Sequence, residues 1–433
     1  MNFDEPLQIN RKTVAPIPQY CEVLNYCSKN YGTPISARMK HEKQLLDHLE
    51  LEYGRAIQNI TKIISKGKVS VTPTATKYNV MHFQNEYLGV NPKLMRVKGT
   101  KGISKSAEVR ERIDVEDPNF FNSFLLIWAE LNSRKKIANV VSFMESIEGA
   151  RDVMGHPLYV VRPTYSIKED STYRITTNNP SLQSLATMHK KEYFVPEEDR
   201  IFVGADISSQ EPSIFFNGMC YDPRIIELYK ETGDLYLSVV SVIENIPPHK
   251  VDKNLRTPYK TGILTKMNGG GMGLLAVDMG SAELAKKLID FINSNPYYAK
   301  FVDRVNRQLM TPEPKIGGFI EGWERKVSCR EEGAFNKLLN APLQITAVCF
   351  FSISFFAFVQ ALMSECPEWT DIETLLYDVR PIYHAHDEIL LSVSDKLGYP
   401  ELVSKTLEWA LSVKYENWEP FKAKPYISKK YLH

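Results

Sequence analysis

Carboxylates at the ends of apolar strand-forming runs, together with cations spaced along one helix face, are the groups a phosphoryl-transfer site needs. Three segments of this chain supply them. In IFVGADISSQEPSIFF (201–216) an apolar run ends in Asp206, with Ser208, Ser209, Gln210 and Glu211 close behind. A carboxylate at a strand end suits a hard cation that keeps open positions for phosphate oxygens, although a lone Asp there is more often a turn or helix cap. In HAHDEILLSV (384–393) the adjacent Asp387 and Glu388 interrupt an apolar strand. That is costly unless the acids are paired, solvated or metal-bound; the plain alternative is a hairpin turn exposing its acids. Together Asp206 and Asp387 could hold two Mg²⁺ ions that clamp the attacking and leaving oxygens of an in-line displacement. In RTPYKTGILTKMNGGG (256–271), Arg256, Lys260, Leu264 and Asn268 recur every four residues and would share one drifting helix face. Two cations near a helix start oppose its dipole; a triphosphate held between them and the helix end would reverse that sign. An ordinary exposed basic helix is the competing reading.

The elements that must position these groups can be read from periodicity. Alternation in PIYHAHDEILLSVSD (381–395) predicts a hairpin with acids at its turn. Helices dominate 222–294, broken at Pro247-Pro248 and Gly269-Gly270-Gly271, and another covers about 331–364. Pro258 is comfortable if the motif helix starts near Thr257, leaving Arg256 just before its first turn. Residues 158–204 are β-prone. Upstream, Leu45, Leu46, Leu49, Ile57, Ile60 and Ile63 mark an amphipathic helix over 36–67, closed by Gly67, and a second helix runs over about 120–147. Between them lies a Gly- and Lys-rich stretch that includes Lys98, Lys101 and Lys105. It is either a solvated face or a segment suited to a phosphate backbone. The first 35 residues, with Pro16, Pro18 and Pro34, read as an extended arm. No internal repeat is visible. This order of elements predicts an α+β protein of several lobes.

The chain has 433 residues, 43% hydrophobic and 24% charged, enough for two to four packed lobes. With 53 basic and 52 acidic residues, net charge points to no polyanionic partner, so any basic surface must be local. Six cysteines form no CxxC pair, which argues for a reducing compartment and against a cysteine zinc site. The N-terminal sequence shows no signal-peptide core. The longest apolar run, 348–363, falls short of the roughly 20 residues a membrane helix needs. A buried helix in a cytoplasmic protein, with no membrane partner, is the expectation.

In this order, the three segments resemble motifs A, B and C of the DNA polymerase I family (family A). Motif A there is roughly D-Y-S-x-x-E-[LP]-R, against Asp206-Ile207-Ser208-Ser209-Gln210-Glu211-Pro212-Ser213 here. Motif B is R-x(3)-K-x(7)-Y-G; Arg256, Lys260 and Gly269 match, while Asn268 replaces the tyrosine. Motif C, V-H-D-E, fits Ala385-His386-Asp387-Glu388. RITTNNPSLQSL (174–185) resembles T-G-R-x-S-S-x-x-P-N-L-Q-N through Arg174, Pro180, Leu182 and Gln183. NAPLQITA (340–347) resembles N-x-P-x-Q-G-T-A through Asn340, Pro342, Gln344 and Thr346, and Asp234-Leu235-Tyr236 is similar to the D-[IV]-[HY] start of the first fingers helix.

The resemblance implies a right hand with an antiparallel palm sheet, helical fingers and helical thumb. It places an arm at 1–35, thumb at 36–165, palm at 166–218 and 336–433, and fingers at 219–335. It implies a template-directed polymerase that adds dNTPs to primer–template DNA with two Mg²⁺ ions on Asp206 and Asp387, Glu388 assisting. Arg256 and Lys260 would grip the triphosphate, with Lys260 a candidate proton donor to pyrophosphate. Glu211 would gate the ribose 2′-hydroxyl, Gln210 and Leu264 would lie against the nucleotide, and Asn268 beside the templating pair. Arg174, Gln183, Asn340, Gln344 and His386 would face the primer–template. Upstream there is no room for a 3′–5′ exonuclease domain, so a separate exonuclease, helicase or processivity factor is an expected class of partner, and the short format is similar to phage enzymes. Single-subunit RNA polymerases share the D, R/K and HD pattern, but Glu211 and the NNPSLQ and NAPLQ segments speak against them. A scaffold that binds primer–template without chemistry would explain Asn268 and Leu264, yet not the complete set of Asp206, Asp387, Arg256 and Lys260.

Overall fold

A computed structural model of the chain describes residues 3–37, 143–151, 155–169, 171–328, 331 and 333–432. At its centre is a four-stranded antiparallel sheet in the order Val379–Ala385, Glu388–Ser394, Arg200–Asp206, Tyr426–Ser428. Its inner strands are apolar on both faces because both are covered. Val203, Ala205, Ile207, Ile389, Leu391 and Val393 pack into the main core. Phe202 and Leu390 point the other way, into a second core with Phe194, Tyr383 and Tyr431. Burial on both sides is why the strands read as continuous apolar runs. A buried ion pair, Arg380 Nη1 to Glu197 Oε1 at 2.8 Å, lies beside the sheet with both side chains almost fully enclosed.

The predicted helical region is a succession of helices, Pro223–Thr232, Leu235–Glu244, Lys253–Met267, Met272–Asp278, Ala282–Ser294 and Pro296–Leu309. Asp222, Asp234, Asp252, Ser281 and Asn295 each cap the helix that follows through a side-chain oxygen, satisfying amide groups that a helix start leaves without partners. The motif helix begins earlier than Pro258 suggested. Asp252 accepts the Leu255 N–H at 2.8 Å and starts it at Lys253. Arg256 therefore lies in the first turn. Pro258 is inside the helix, and the carbonyl it leaves without a donor belongs to Asn254, an exposed residue that water can reach.

The helix Ala334–Glu365, with Pro342 inside, is the spine of the main core. It spans 32 residues, close to the expected 331–364, and by length and composition alone it would be enough to cross a membrane. Its apolar surface is instead taken up by protein, with Phe350, Phe351, Phe355 and Leu362 all buried.

Two expectations change at the N-terminal side. Residues 17–30 are a helix, Ile17–Asn30, rather than extended chain, and it delivers Ile17, Tyr20 and Leu24 to the main core. Thr33–Ile35 then joins a three-stranded sheet with Glu148–Arg151 and Pro157–Val161. The proline that suggested an arm, Pro18, occupies the first turn, where it needs no donor. The amphipathic pattern over 36–67, most of the 120–147 helix, and Lys98, Lys101 and Lys105 lie outside the described residues.

Candidate active site

Strand register brings the three acids together. Asp206 and Glu388 are direct cross-strand partners, so their side chains leave the same face of the sheet. Ala385 pairs with Glu388 across a two-residue turn, His386-Asp387, and the Asp387 carbonyl accepts the Ile207 N–H at 3.0 Å. His386 takes the left-handed conformation (φ 57°) that closes this turn, a backbone state uncommon outside Gly and Asn yet tolerated by His. The local sequence explains the geometry: apolar strands anchor both arms of the hairpin, and the polar dipeptide lies where water and substrate reach it.

Asp206 and Asp387 line a cavity of about 350 Å³ with Arg174, Gln210, Glu211, Tyr236, Lys260, Leu264, His384 and His386. Burial pushes the Asp387 carboxyl up to about 7, with Asp206 repelling it further. Burial likewise pushes Asp206 up to about 6, with Glu388 adding to the rise and Lys260 opposing it. Glu388 is also shifted upward, first by burial. Acids with a shared excess of negative charge fit a divalent cation. The donors are hard oxygens, and Mg²⁺ characteristically takes one or two carboxylates, completing its shell with water and substrate phosphate. Among the described residues no group of three or more His, Cys, Asp or Glu is placed to hold a metal, so the fit rests on the Asp206–Asp387 pair and not on all three acids.

Facing the acids is the helix Lys253–Met267. Lys260 and Leu264 reach the cavity. Arg256, one turn earlier, is held by Asp234, with Nε and Nη2 donating to its carboxylate at 2.9 and 3.1 Å. Both cations lie near the Tyr236 ring, at 5.3 and 5.6 Å from its centroid, and Ser209 lines the cavity beside it. Tyr236 thus forms part of the cavity wall, and Asp234 orients Arg256, which lies outside the lining. Their signal was the Asp-Leu-Tyr start of a helix. At the far end Asn268 folds back, donating to the Leu264 carbonyl at 2.8 Å and accepting from Asn340 Nδ2. Beside it lies an open groove of about 440 Å³ lined by Thr265, Asn268, Gly269 and Asn336. Gly269 is required there: it has φ 83°, and a Cβ would fall 2.4 Å from the Asn336 side chain.

Other expected site residues are distributed unequally. Arg174 and Glu211 form an ion pair in the cavity wall. Gln210 is buried and donates to the Ala347 carbonyl at 3.2 Å. Gln183 does not line the cavity. Its amide donates to the carbonyls of Ile175 and His384 at 3.1 and 2.9 Å, bracing the hairpin from behind. Gln344 is half-buried on the long helix and outside the cavity lining. His384, rather than His386 alone, is part of the wall; it contacts the Tyr20 hydroxyl at 3.1 Å, and burial lowers it to about 3, so it is neutral. The alternating HAH pattern held this signal, since residues two apart share a strand face.

Residues 43–416 match the family described as DNA polymerase family A. No curated protein matches the chain. Among solved structures, it is similar to the POL domain of Pol1 from M. smegmatis in complex with DNA primer-template and dNTP, with a TM-score of 0.62 and 18% identity over 96% of this chain and 70% of that one. At that identity the likeness is one of fold.

Proposed function

We propose, since this chain belongs to DNA polymerase family A and is a DNA-directed DNA polymerase, that the cavity between Asp206 and Lys260 is where it adds a dNTP to a primer 3′ end, with Asp206 and Asp387 as the metal-binding pair. The carrying observation is that Asp206 and Asp387 line the same cavity as Lys260 of the facing helix, with Glu388 opposite Asp206 in strand register. The sheet is read as the palm and the helices over 219–335 as the fingers.

Family A polymerases use divalent metal ions, and two Mg²⁺ on Asp206 and Asp387 suit this acid pair. Bound there, they supply charge neutralisation and a more acidic primer hydroxyl. The chain's own residues do the rest. Lys260 is placed to meet the triphosphate and to hand a proton to the departing pyrophosphate. Arg256 reaches the same phosphates from a guanidinium already oriented by Asp234. Tyr236 gives both cations a flat aromatic support. Glu211, held by Arg174, narrows the cavity where a ribose 2′-hydroxyl would sit. Arg174 and His386 border the side where the primer terminus would lie, with Asn340 further along at Asn268. Positioning and charge neutralisation carry most of the rate enhancement in such a reaction.

The test is primer extension with Mg²⁺, comparing dNTPs with rNTPs, for the wild type and Asp387→Ala. Extension with dNTPs that disappears in the variant supports the assignment. Binding of primer–template without extension would replace it with the scaffold reading, and extension with rNTPs alone would overturn the role given to Glu211.

A further inference from the structure

The family match begins at residue 43, yet the helix Ile17–Asn30 ahead of it is fastened to the elements that carry the site. Asn25 is locked to the backbone of Tyr165 in both directions, accepting its N–H at 2.8 Å and donating to its carbonyl at 2.9 Å. Ser28 donates to the Pro163 carbonyl at 2.6 Å. Just past the helix, the Thr33 hydroxyl donates to the carbonyl of Ile382. Ile382 lies two residues before His384 in the strand Val379–Ala385, which leads into the His386-Asp387 turn. A helix tied at several points is a rigid mount for the side chains it presents.

The side chain it presents to the site is Tyr20, 1% exposed. Its ring packs on Phe355 and Phe351, with centroids 4.6 and 5.9 Å away. Its hydroxyl meets His384 Nδ1 at 3.1 Å, the two rings edge-on at 5.3 Å. Phe351 lies against the same imidazole at 4.8 Å, and Gln183 holds the His384 carbonyl at 2.9 Å. His384 in turn lines the cavity with Asp206 and Asp387, together with Ile175, Ala347 and Val348. In a neutral imidazole one nitrogen donates and the other accepts. Among the described residues the Tyr20 hydroxyl has no other partner. A buried hydroxyl proton needs an acceptor. Tyr20 therefore donates, Nδ1 accepts, and the ring proton is on Nε2.

Resting on the function proposed above, we infer that Tyr20 is a positioning residue of the nucleotide cavity: from a helix the family match does not reach, it holds His384 in one orientation and one tautomer as part of the wall. An imidazole free to turn or to exchange tautomers would present several surfaces to the reacting groups. Small misplacements are costly in a reaction carried by alignment. The triphosphate contacts assigned to Arg256 and Lys260 belong to another element, the helix Lys253–Met267. Loss of the Tyr20 support should thus act on the rate of the step and leave nucleotide binding nearly unchanged. Tyr20→Phe removes the hydroxyl while keeping the ring in its core.

The experiment pairs single-turnover primer extension with ¹⁵N NMR of the full chain labelled at histidine, for wild type, Tyr20→Phe, His384→Phe and their double variant. The His384 signal is assigned by its loss in His384→Phe. The expected wild-type signal is that of an imidazole protonated on Nε2, becoming a mixture of tautomers in Tyr20→Phe. The expected Tyr20→Phe rate at saturating dNTP is lower by roughly threefold or more, with the apparent dNTP affinity within about twofold of wild type. Adding Tyr20→Phe to His384→Phe should cost nothing further. If Tyr20→Phe loses the fold, His384→Phe breaks the same bond from its other end and must show the same split between rate and affinity. A proton on Nδ1 in the wild type, a smaller loss of rate, or a Tyr20→Phe loss that persists in the His384→Phe background would overturn the inference. A wild type that binds primer–template and dNTP without extending would remove the proposed function alone. The inference would then survive only if dNTP added to that complex moves the His384 signal.

Discussion

Asp234 does two jobs with one carboxylate: it accepts the Leu237 N–H at 3.1 Å as a helix cap, and it holds Arg256 through bonds of 2.9 and 3.1 Å. The helix Leu235–Glu244 is thereby started by the group that orients Arg256, the cation proposed to meet the phosphates, on the helix Lys253–Met267. The two functions can be separated. Asp234→Asn keeps a capping oxygen but loses the charge that orients Arg256, so the KM for dNTP should rise roughly fivefold, about 1 kcal/mol, with little change in thermal midpoint. Asp234→Ala should add about 1 kcal/mol of destabilisation for the lost cap. Steady-state kinetics and thermal unfolding of both variants check this.

Glu211, proposed to gate the ribose 2′-hydroxyl, is kept in the cavity wall by its partner Arg174. Glu211→Ala should therefore raise rNTP incorporation relative to dNTP by at least tenfold, about 1.4 kcal/mol in discrimination. Competing single-nucleotide insertion measures it. Unchanged sugar selectivity would remove Glu211 from that role.

The raised acids make stability depend on pH in a defined direction. Asp206 and Asp387 titrate near 6 and near 7 in the fold, against about 3.8 unfolded. A group whose folded value is raised contributes fully below the unfolded value and loses that contribution as pH rises through the folded one. Metal-free protein should thus lose stability between about pH 4 and 7, by on the order of 1–3 kcal/mol from this pair once partial solvent screening is allowed for. Asp387→Asn should flatten that fall and raise the midpoint of metal-free protein at pH 8 while abolishing extension. Thermal unfolding across pH with a chelator provides the check.

Beside the sheet, Arg380 and Glu197 form an enclosed ion pair. Leaving Arg380 buried without its partner, as in Glu197→Ala, should cost about 3–5 kcal/mol. Urea unfolding would show the shift in midpoint. A loss below about 1 kcal/mol would mean that water reaches the guanidinium.

Asn268 withdraws its side chain to the Leu264 carbonyl and Asn340, beside an open groove. A ring in its place would give the templating pair a surface to lean on. Asn268→Tyr should make incorporation faster or more selective. Unaltered pre-steady-state kinetics would sink that expectation.

Much of the site was present in residue order. The acids at strand ends, the hairpin turn carrying Asp387 and the cations four residues apart follow from period and residue type, because strand and helix geometry are local. The strand ending at Asp206 and the helices around the glycine triplet were legible for the same reason. What only tertiary structure decided were pairings between distant segments. Asp206 facing Glu388 depends on a register across 182 positions, and no local pattern encodes register. Gln183 looked like a nucleic-acid contact from its motif but spends its amide bracing the hairpin. The helix start at Lys253 was hidden because a cap at Asp252 outweighed the boundary that Pro258 suggested. The N-terminal helix was masked by prolines that fit its first turn. The strand Tyr426–Ser428, past the family match, pairs with the strand that ends in Asp206. Local chemistry can be read along a chain; which carboxylate meets which partner depends on long-range packing that buries them together.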